Sequence, residues 1–334
     1  MKKRIYALLL AAVMAFGVSA CGTSDAEKKA EEAPAQKTLN MGSGDTTGSY
    51  YAFGNLLATH MGDAAGVNID VISTEGSVEN IKGIHEGLYQ LGLAQADVMS
   101  YAWNGIIPFA KDGKIRSFRA IGGLYEEALQ IVTLDETIQT VEDLRGKTVS
   151  VGGENSGVVM NAMNILDIYG LRTGEDIQTV TMSFTDSIEA MKAGKIDAAF
   201  IVSGAPTNVV EDLIATEHAH LVNIESEKVA ELQQWYPYYN KYVILSGAYT
   251  GLDHDVTTVS IQAAMIVSAD MAEEDVYNLT AGIYDNVENV SAVLARAIDM
   301  SVETGTTGIS VPFHKGASLT PKQTYIAISM SQVT

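Results

Sequence analysis

The sequence predicts an α/β protein of two lobes with a cleft between them. Its 334 residues are 47% apolar, which is enough to bury a large core. From Leu39 onward, short β-rich runs alternate with amphipathic stretches, a pattern typical of parallel strands covered by helices. A second series of the same kind begins after Glu127. We therefore predict lobe 1 from residues 39–127 plus 248–334, and lobe 2 from residues 128–247.

The first series alternates four predicted strands with three predicted helices. Strands are favoured where β-branched and apolar residues form short runs, and helices where apolar residues recur every three or four positions. The predicted strands are 38–42, 68–73, 91–95 and 118–122. The predicted helices are 49–61, 77–88 and 98–110.

The second series has five predicted strands and three predicted helices. The strands are 130–134, 148–151, 177–183, 198–202 and 220–224. The helices are 156–169, 186–193 and 207–216. The stretch after Gly247 has one long β-branched run, 257–267, followed by helical patterns. We expect this stretch to return to lobe 1 and complete it.

The N-terminal residues predict export and lipid attachment. Three basic residues precede an apolar run that ends at Ala20 and is shorter than the ~20 residues of a membrane span. Residues 1–20 are therefore predicted to be a signal peptide. Cys21 follows directly, in a sequence that resembles the bacterial lipobox; the alternative is an ordinary signal peptide. Residues 21–38 are predicted to be a flexible tether. We expect an exported protein, anchored by lipid on the outer side of the cytoplasmic membrane or in the periplasm.

The charge excludes several classes of partner. The chain has 41 acidic and 21 basic residues, for a net charge of −20. This balance argues against nucleic acid, whose phosphates attract Lys and Arg, and against electrostatic docking on anionic lipids. The acidic excess is divided between the two predicted lobes, so an anionic solute must be attracted by local donors. A single cysteine rules out an intramolecular disulfide and a Cys-based zinc site.

Two glycine- and hydroxyl-rich turns form the main candidate site. Residues 42–51 read G-S-G-D-T-T-G-S-Y-Y, and residues 152–157 read G-G-E-N-S-G. Each lies between a predicted strand and helix, where glycine lets the backbone approach a ligand and the helix N-terminus offers free N–H groups. One such turn is equally consistent with an ordinary helix start. Two, one in each lobe, predict an anion site facing the cleft. Residues 203–207 form a third turn of this kind.

A few further residues are candidates for contact with a ligand. Gln95 ends a buried-looking strand, and Ser77 is either a helix N-cap or a ligand donor. Asp97 is expected to cap the helix that follows it. Arg119 is a candidate anchor for the ligand side chain. The histidines do not have metal-ligand spacing, and Ser156 lacks the glycine that a nucleophile elbow requires, so we predict no metal, no cofactor and no catalysis.

Several segments together resemble a known family in their order and spacing. They are 42–54 (G-x-G-x-T-x-G-x-Y-Y-x-x-G), 74–80 (T-x-G-S-x-x-N), 93–105 (with Q-x-D), 143–157 (with L-R-G-K and S-G), 194–206 (G-x-I-D-A-x-F with G-x-P) and 248–256. This combination resembles the TAXI-type solute receptors of tripartite ATP-independent periplasmic (TRAP) transporters. Residues 312–317 follow the family's P-x-H-x-G-A, but the aromatic pair usually seen after it is absent.

The resemblance implies a two-lobed type II periplasmic-binding-protein fold with a central ligand cleft. Such a receptor captures a small solute and hands it to a fused TRAP membrane permease. Family ligands include glutamate, glutamine and small carboxylates, so we expect a small-molecule carboxylate and a monomeric receptor. The contacts expected from lobe 1 are Gly44, Thr46, Tyr50, Tyr51, Ser77 and Gln95. Those expected from lobe 2 are Ser156, Gly157, Gly204 and Pro206.

Three other functions stay open on the sequence alone. The first is a binding lipoprotein of an ABC-type importer for a sulfonate or a vitamin precursor, which a neighbouring ATPase gene would favour. The second is a periplasmic enzyme, which needs a nucleophile with a base and would show turnover. The third is a structural or adhesive lipoprotein without a ligand, whose melting temperature would not change across a metabolite panel.

Overall fold

A computed structural model of the protein describes residues 36–293, 300–301 and 304–317 and shows a mixed α/β architecture. The predicted signal peptide and Cys21 lie outside the described residues, as does most of the predicted tether. Within the described ranges, no helix combines the length and the apolar character that crossing a membrane requires.

The strands join in one curled ten-stranded sheet. They are β1 (Thr38–Gly42), β2 (Asn68–Ile72), β3 (Leu91–Gln95), β4 (Phe118–Thr133), β5 (Thr148–Ser150), β6 (Gln178–Val180), β7 (Ala198–Ser203), β8 (His220–Val222), β9 (Asn240–Ile244) and β10 (Val256–Ser268). Their order is β2-β1-β3-β10-β4-β7-β5-β6, with β8 also paired to β4 and β9 to β10. β1 to β3 are parallel, as are β5 to β7, whereas β4 and β10 run antiparallel to their neighbours.

Helices cover both faces of the sheet. They are α1 (Ser49–Ala65), α2 (Ser77–His85), α3 (Ala96–Asn104), α4 (Gly157–Ile168), α5 (Phe184–Lys192), α6 (Asn208–Glu217), α7 (Ser226–Trp235), α8 (Glu273–Tyr284) and α9 (Val287–Val293). The predicted α/β class is confirmed. α7 was not predicted, because its sequence is polar and buries only Val229 and Leu232.

One strand assignment from the sequence is wrong. The predicted strands 118–122 and 130–134 are a single 16-residue strand, β4, which pairs with β10 and then with β7. The first predicted strand ended at Gly122. Gly122 instead lies inside β4 and makes room for the Tyr284 ring, since a Cβ on it would lie 1.9 Å from the Tyr284 hydroxyl.

Buried apolar residues form separate cores in the two lobes. Lobe 1 has one cluster where β1 and β3 face α1 and α8, and another where β3 faces α2 and α3. Lobe 2 has a single cluster around β5, β7 and α4 to α6. The C-terminal segment packs on lobe 1, where α8 approaches α1 so closely that a Cβ on Gly282 would lie 2.7 Å from the Met61 Cα.

Two long strands, β4 and β10, belong to both lobes. On β4, Tyr125 is in a lobe 1 cluster and Ala128 is in the lobe 2 cluster. On β10 the change falls between Ile261 and Ala263, and Ile261 pairs with Glu127 of β4. The lobes therefore meet at Glu127. The boundary between 247 and 248 stays a prediction; the structure places Tyr249 in the lobe 2 core.

Candidate functional site

A cavity of about 420 Å³ lies between the lobes. The turns after β1 and β2 and the end of β3 line it from lobe 1, and the turns after β5 and β6 with the end of β7 line it from lobe 2. Glu127 of the shared strand β4 also lines it. The carboxyl ends of parallel strands meet at this edge of each half-sheet, which is why segments distant in sequence converge. The volume suits a small organic molecule.

Most of the residues predicted to contact a ligand line this cavity. They are Gly44, Thr46, Tyr50, Ser77, Gln95, Ser156 and Gly157. Three others lie outside its wall. Tyr51 follows Tyr50 on α1 and so points about 100° away around the helix axis. Gly204 donates its N–H to the Ser49 hydroxyl at 3.1 Å, and Pro206 is exposed to solvent.

The N-termini of α1 and α4 open on the cavity from opposite lobes. Their N-cap residues, Gly48 and Ser156, make no side-chain capping hydrogen bond, and neither helix has an acidic residue in its first turn. α5 differs, because Ser183 caps it and Asp186 lies in its first turn. No acidic residue in their own first turns offsets the partial positive charge of α1 and α4, although the first N–H of α1, that of Ser49, donates to the Ser203 hydroxyl.

Among the described residues, three carboxyl groups and no basic side chain line the cavity. Two of the three are used within the protein. Asp45 accepts hydrogen bonds from Thr47 and from the Phe184 N–H, and Glu75 Oε2 accepts two from Asn155. Glu127 is only 3% exposed, and its Oε2 has no hydrogen-bond partner among the described residues. Among the three, Glu127 is therefore the buried carboxyl with an oxygen atom that makes no hydrogen bond to the described residues.

Burial controls the protonation of Glu127. The pKa of Glu127 is raised to about 8, mainly because burial removes its hydration. The charges of Asp97 and Glu126 also raise this pKa, whereas the neighbouring Tyr50 and Gln95 act in the opposite direction. The Tyr50 hydroxyl and the Gln95 amide oxygen are also buried without a partner. Glu127 is not among the residues that the sequence predicts to contact a ligand. The available signal was an acidic residue inside the apolar run that surrounds it.

Direct hydrogen bonds join the lobes beside the cavity. The Ser49 N–H donates to the Ser203 hydroxyl at 3.0 Å, and the Ser203 hydroxyl donates to the Ser49 hydroxyl at 2.8 Å. The bonds of Asp45 to Phe184 and of Glu75 to Asn155 also cross between the lobes. We call the Ser49–Ser203–Gly204 group the serine latch. All three residues are buried, so these bonds are shielded from water.

A second contact between the lobes corrects the role predicted for Asp97. α3 begins at Ala96 with Gln95 in the N-cap position, so Asp97 lies inside the helix and does not cap it. Its Oδ2 instead accepts a hydrogen bond from Asn161 of α4 at 2.9 Å. Asn161 also donates to Tyr239. The pKa of Asp97 is raised to about 7, mainly by burial, and the hydrogen bonds from Val98 and Asn161 act in the opposite direction.

Arg119 does not line the cavity, so its suggested role as a ligand anchor is not supported by its position. Its guanidinium donates to the backbone oxygens of Arg116 and Phe118 and lies over the Trp103 ring, 5.2 Å from the ring centroid. In the part of the chain that the structure describes, no group of three or more His, Cys, Asp and Glu side chains could hold a metal ion.

Removing the latch hydroxyl is expected to weaken closure. Ser203→Ala leaves the Ser49 N–H without its acceptor in a buried place, which costs about 1–3 kcal/mol. We expect the radius of gyration in small-angle X-ray scattering to increase as open molecules accumulate. Ser183→Ala, in the cavity wall but bonded only within lobe 2, is the control. An equal change in both variants would contradict a specific role for the latch.

The fold is that of the type II periplasmic binding proteins. MatC from Rhodopseudomonas palustris with bound malate is similar with a TM-score of 0.55 and 12% identity, covering 78% of this chain and 88% of that chain. A structure described as a periplasmic transporter is similar with a TM-score of 0.52 and 15% identity, covering 79% of this chain and 88% of that chain. At these identities the likeness concerns the fold. The NMT1-like family matches residues 41–319, and the chain belongs to this family.

Proposed function

We propose that this receptor captures a small carboxylate outside the cytoplasm and delivers it to a TRAP membrane permease. The observation that supports this proposal is the convergence of two uncapped helix N-termini, α1 and α4, on one cavity. An ionised carboxylate is one of the small anionic groups that backbone N–H donors at such positions bind.

The lining residues suggest how the carboxylate is held. Gly44 and Gly157 let the backbone approach it, while Thr46 and Ser77 supply hydroxyl donors. Closure of the lobes excludes water, so that each hydrogen bond to the charged group becomes stronger. A solute that leaves the buried Ser77 hydroxyl unpaired would bind more weakly. The protein carries out no chemistry on the solute in this proposal.

Two further features of the sequence complete the proposal. The motifs shared with TAXI-type receptors support the TRAP permease as the partner, and the lipobox-like sequence at Cys21 supports a lipid anchor. A second candidate is delivery to an ABC-type importer, which membership of the NMT1-like family favours. Uptake in intact cells separates the two, because collapse of the ion gradient stops TRAP transport directly, whereas loss of ATP stops ABC transport.

Native mass spectrometry of the purified protein tests capture. We expect a co-purified solute that carries a carboxylate and is recovered unchanged. Adding that solute at about 100 times its Kd is expected to stabilise the protein by about 2.7 kcal/mol. A co-purified solute without a carboxylate would contradict the carboxylate proposal, and conversion of the solute on incubation would contradict a pure binding function.

A further inference from the structure

We infer that the solute carries a protonated amine next to its carboxylate, that it has no net negative charge, and that Glu127 binds the amine. This inference rests on the proposed function and narrows it to α-amino acids with uncharged side chains. It is drawn from the charges, the unpartnered acceptors and the apolar surface of the cavity.

The charges of the wall exclude a second anionic group on the solute. With three carboxyl groups and no basic side chain among the described residues of its wall, the cavity offers a dicarboxylate only the two helix N-termini as charge compensation. Burying an additional negative charge without a partner is strongly unfavourable. The wall also includes the apolar side chains of Val158, Phe184 and Val202, which suit an uncharged solute side chain.

The unpartnered acceptors match an ammonium group. Glu127 Oε2 and Gln95 Oε1 are acceptors, and the Tyr50 hydroxyl can accept or donate; each side chain is at least nine-tenths buried. An ammonium group has three donors for such a set. Asp45 and Glu75 already accept hydrogen bonds from other parts of the chain, Asp45 through both carboxylate oxygens and Glu75 through Oε2.

The acceptors lie beside the proposed carboxylate site. A Cβ on Gly157, the first residue of α4, would lie 1.7 Å from Gln95 Oε1. The Gln95 acceptor and the α4 N-terminus are therefore immediate neighbours. In an α-amino acid the amine and the carboxylate are attached to one carbon, so both can be bound at these adjacent positions.

Binding of an ammonium group beside Glu127 should release protons from the protein, and the number released can be measured. The groups that influence Glu127 are Tyr50, Gln95, Asp97 and Glu126, and with burial they set its pKa at about 8. Glu127 is therefore ~90% protonated at pH 7 before the solute binds. An ammonium group beside it favours the carboxylate, and the Glu127 proton passes to the buffer. Close to one proton is released for each amino acid bound.

Matched probes test the inference by calorimetry on the mature protein. The twenty L-amino acids are titrated first, and L-leucine is compared with 4-methylpentanoate, which lacks the amine, and 3-methylbutylamine, which lacks the carboxylate. L-glutamine is compared with L-glutamate, which has nearly the same shape and one more negative charge. We expect an uncharged amino acid to bind at least 100-fold more tightly than its amine-free analogue, and L-glutamine more tightly than L-glutamate.

Glu127→Gln is the decisive variant, with Glu126→Gln, the adjacent carboxyl outside the cavity, as its control. Repeating the titrations in buffers of different ionisation enthalpy gives the protons released. We expect Glu127→Gln to lose at least tenfold in affinity and to release no proton, with an unreduced melting temperature. Glu126→Gln should keep the affinity and still release a proton, although fewer than the wild type because the Glu126 charge helps to raise the pKa of Glu127.

The outcomes separate the inference from the proposed function. Equal binding of 4-methylpentanoate and L-leucine, or tighter binding of L-glutamate than of L-glutamine, overturns the inference and leaves carboxylate capture intact. Binding of 3-methylbutylamine as tightly as L-leucine overturns carboxylate capture. Failure of all twenty amino acids to bind overturns the inference, and so does an unchanged proton release in Glu127→Gln.

Discussion

Replacing Gly157 by alanine is expected to weaken solute binding at least tenfold, while the protein stays as stable as before. The new Cβ would lie 1.7 Å from Gln95 Oε1 and 3.1 Å from a methyl carbon of Val98. The Gln95 amide has to move, and because it is 2% exposed, it has little room to move except toward the solute. A tenfold loss corresponds to about 1.4 kcal/mol of binding free energy.

The same substitution favours the helix itself, which makes the test specific. Gly157 is the first residue of α4, where alanine has better helix propensity than glycine by up to about 1 kcal/mol. Titration calorimetry with the co-purified solute measures affinity, and chemical denaturation measures stability. Glu154→Ala, an exposed change in the same turn, is the control and should bind normally. Unchanged affinity in Gly157→Ala would mean that the solute does not occupy this part of the cavity.

The second large effect concerns pH: without solute, Asp97 and Glu127 should each destabilise the protein as pH rises from about 5 to 7. Burial raises the pKa of Asp97 to about 7 and that of Glu127 to about 8, whereas both are near 4 in the unfolded chain. In this window the folded state holds protons that the unfolded state has lost. Unfolding therefore releases these two protons, and the contribution of Asp97 and Glu127 to stability is greatest at low pH and falls with increasing pH. Each group contributes a decrease of about 1.4 kcal/mol per pH unit.

Variants isolate this contribution from the rest of the protein. Burial lowers the pKa of His314, which produces the opposite slope near pH 6, so the difference between wild type and variant is the decisive quantity. Asp97→Asn and Glu127→Gln, which do not titrate, should each make the slope of unfolding free energy against pH less negative. Asp186→Asn, at an exposed helix start, is the control. Parallel curves for wild type and both buried variants would show that neither group is held protonated.

The parts of the site that could be predicted are those encoded locally. A strand followed by glycine, hydroxyl residues and a helix specifies a helix N-terminus, so the turns at Gly44 and Gly157 were found from a few consecutive residues. The place where these turns meet follows from the general rule that parallel strands end at a common edge. Tyr51 was predicted along with Tyr50, and only the actual rotation of α1 separates them.

The parts that could not be predicted depend on contacts between distant segments. Ser49 and Ser203 are 154 positions apart, and nothing in either local sequence indicates the latch. Glu127 becomes a cavity residue only because β4 continues beyond Gly122, where the first predicted strand ended. Asp97 appeared to be a helix cap because its partner, Asn161, lies 64 positions away in the other lobe.

The position of Glu127 on β4 has a consequence for how relatives of this receptor can change their solute. Glu127 pairs with Ile261 where both shared strands pass from one lobe to the other, so a substitution there alters the connection between the lobes together with the cavity. Ser156 is bonded within its own turn, to Gly153, and loops tolerate substitution and insertion more readily than sheet interiors do. Among descendants of this protein, the residues of the turns around Thr46 and Ser156 are therefore expected to change first and Glu127 last.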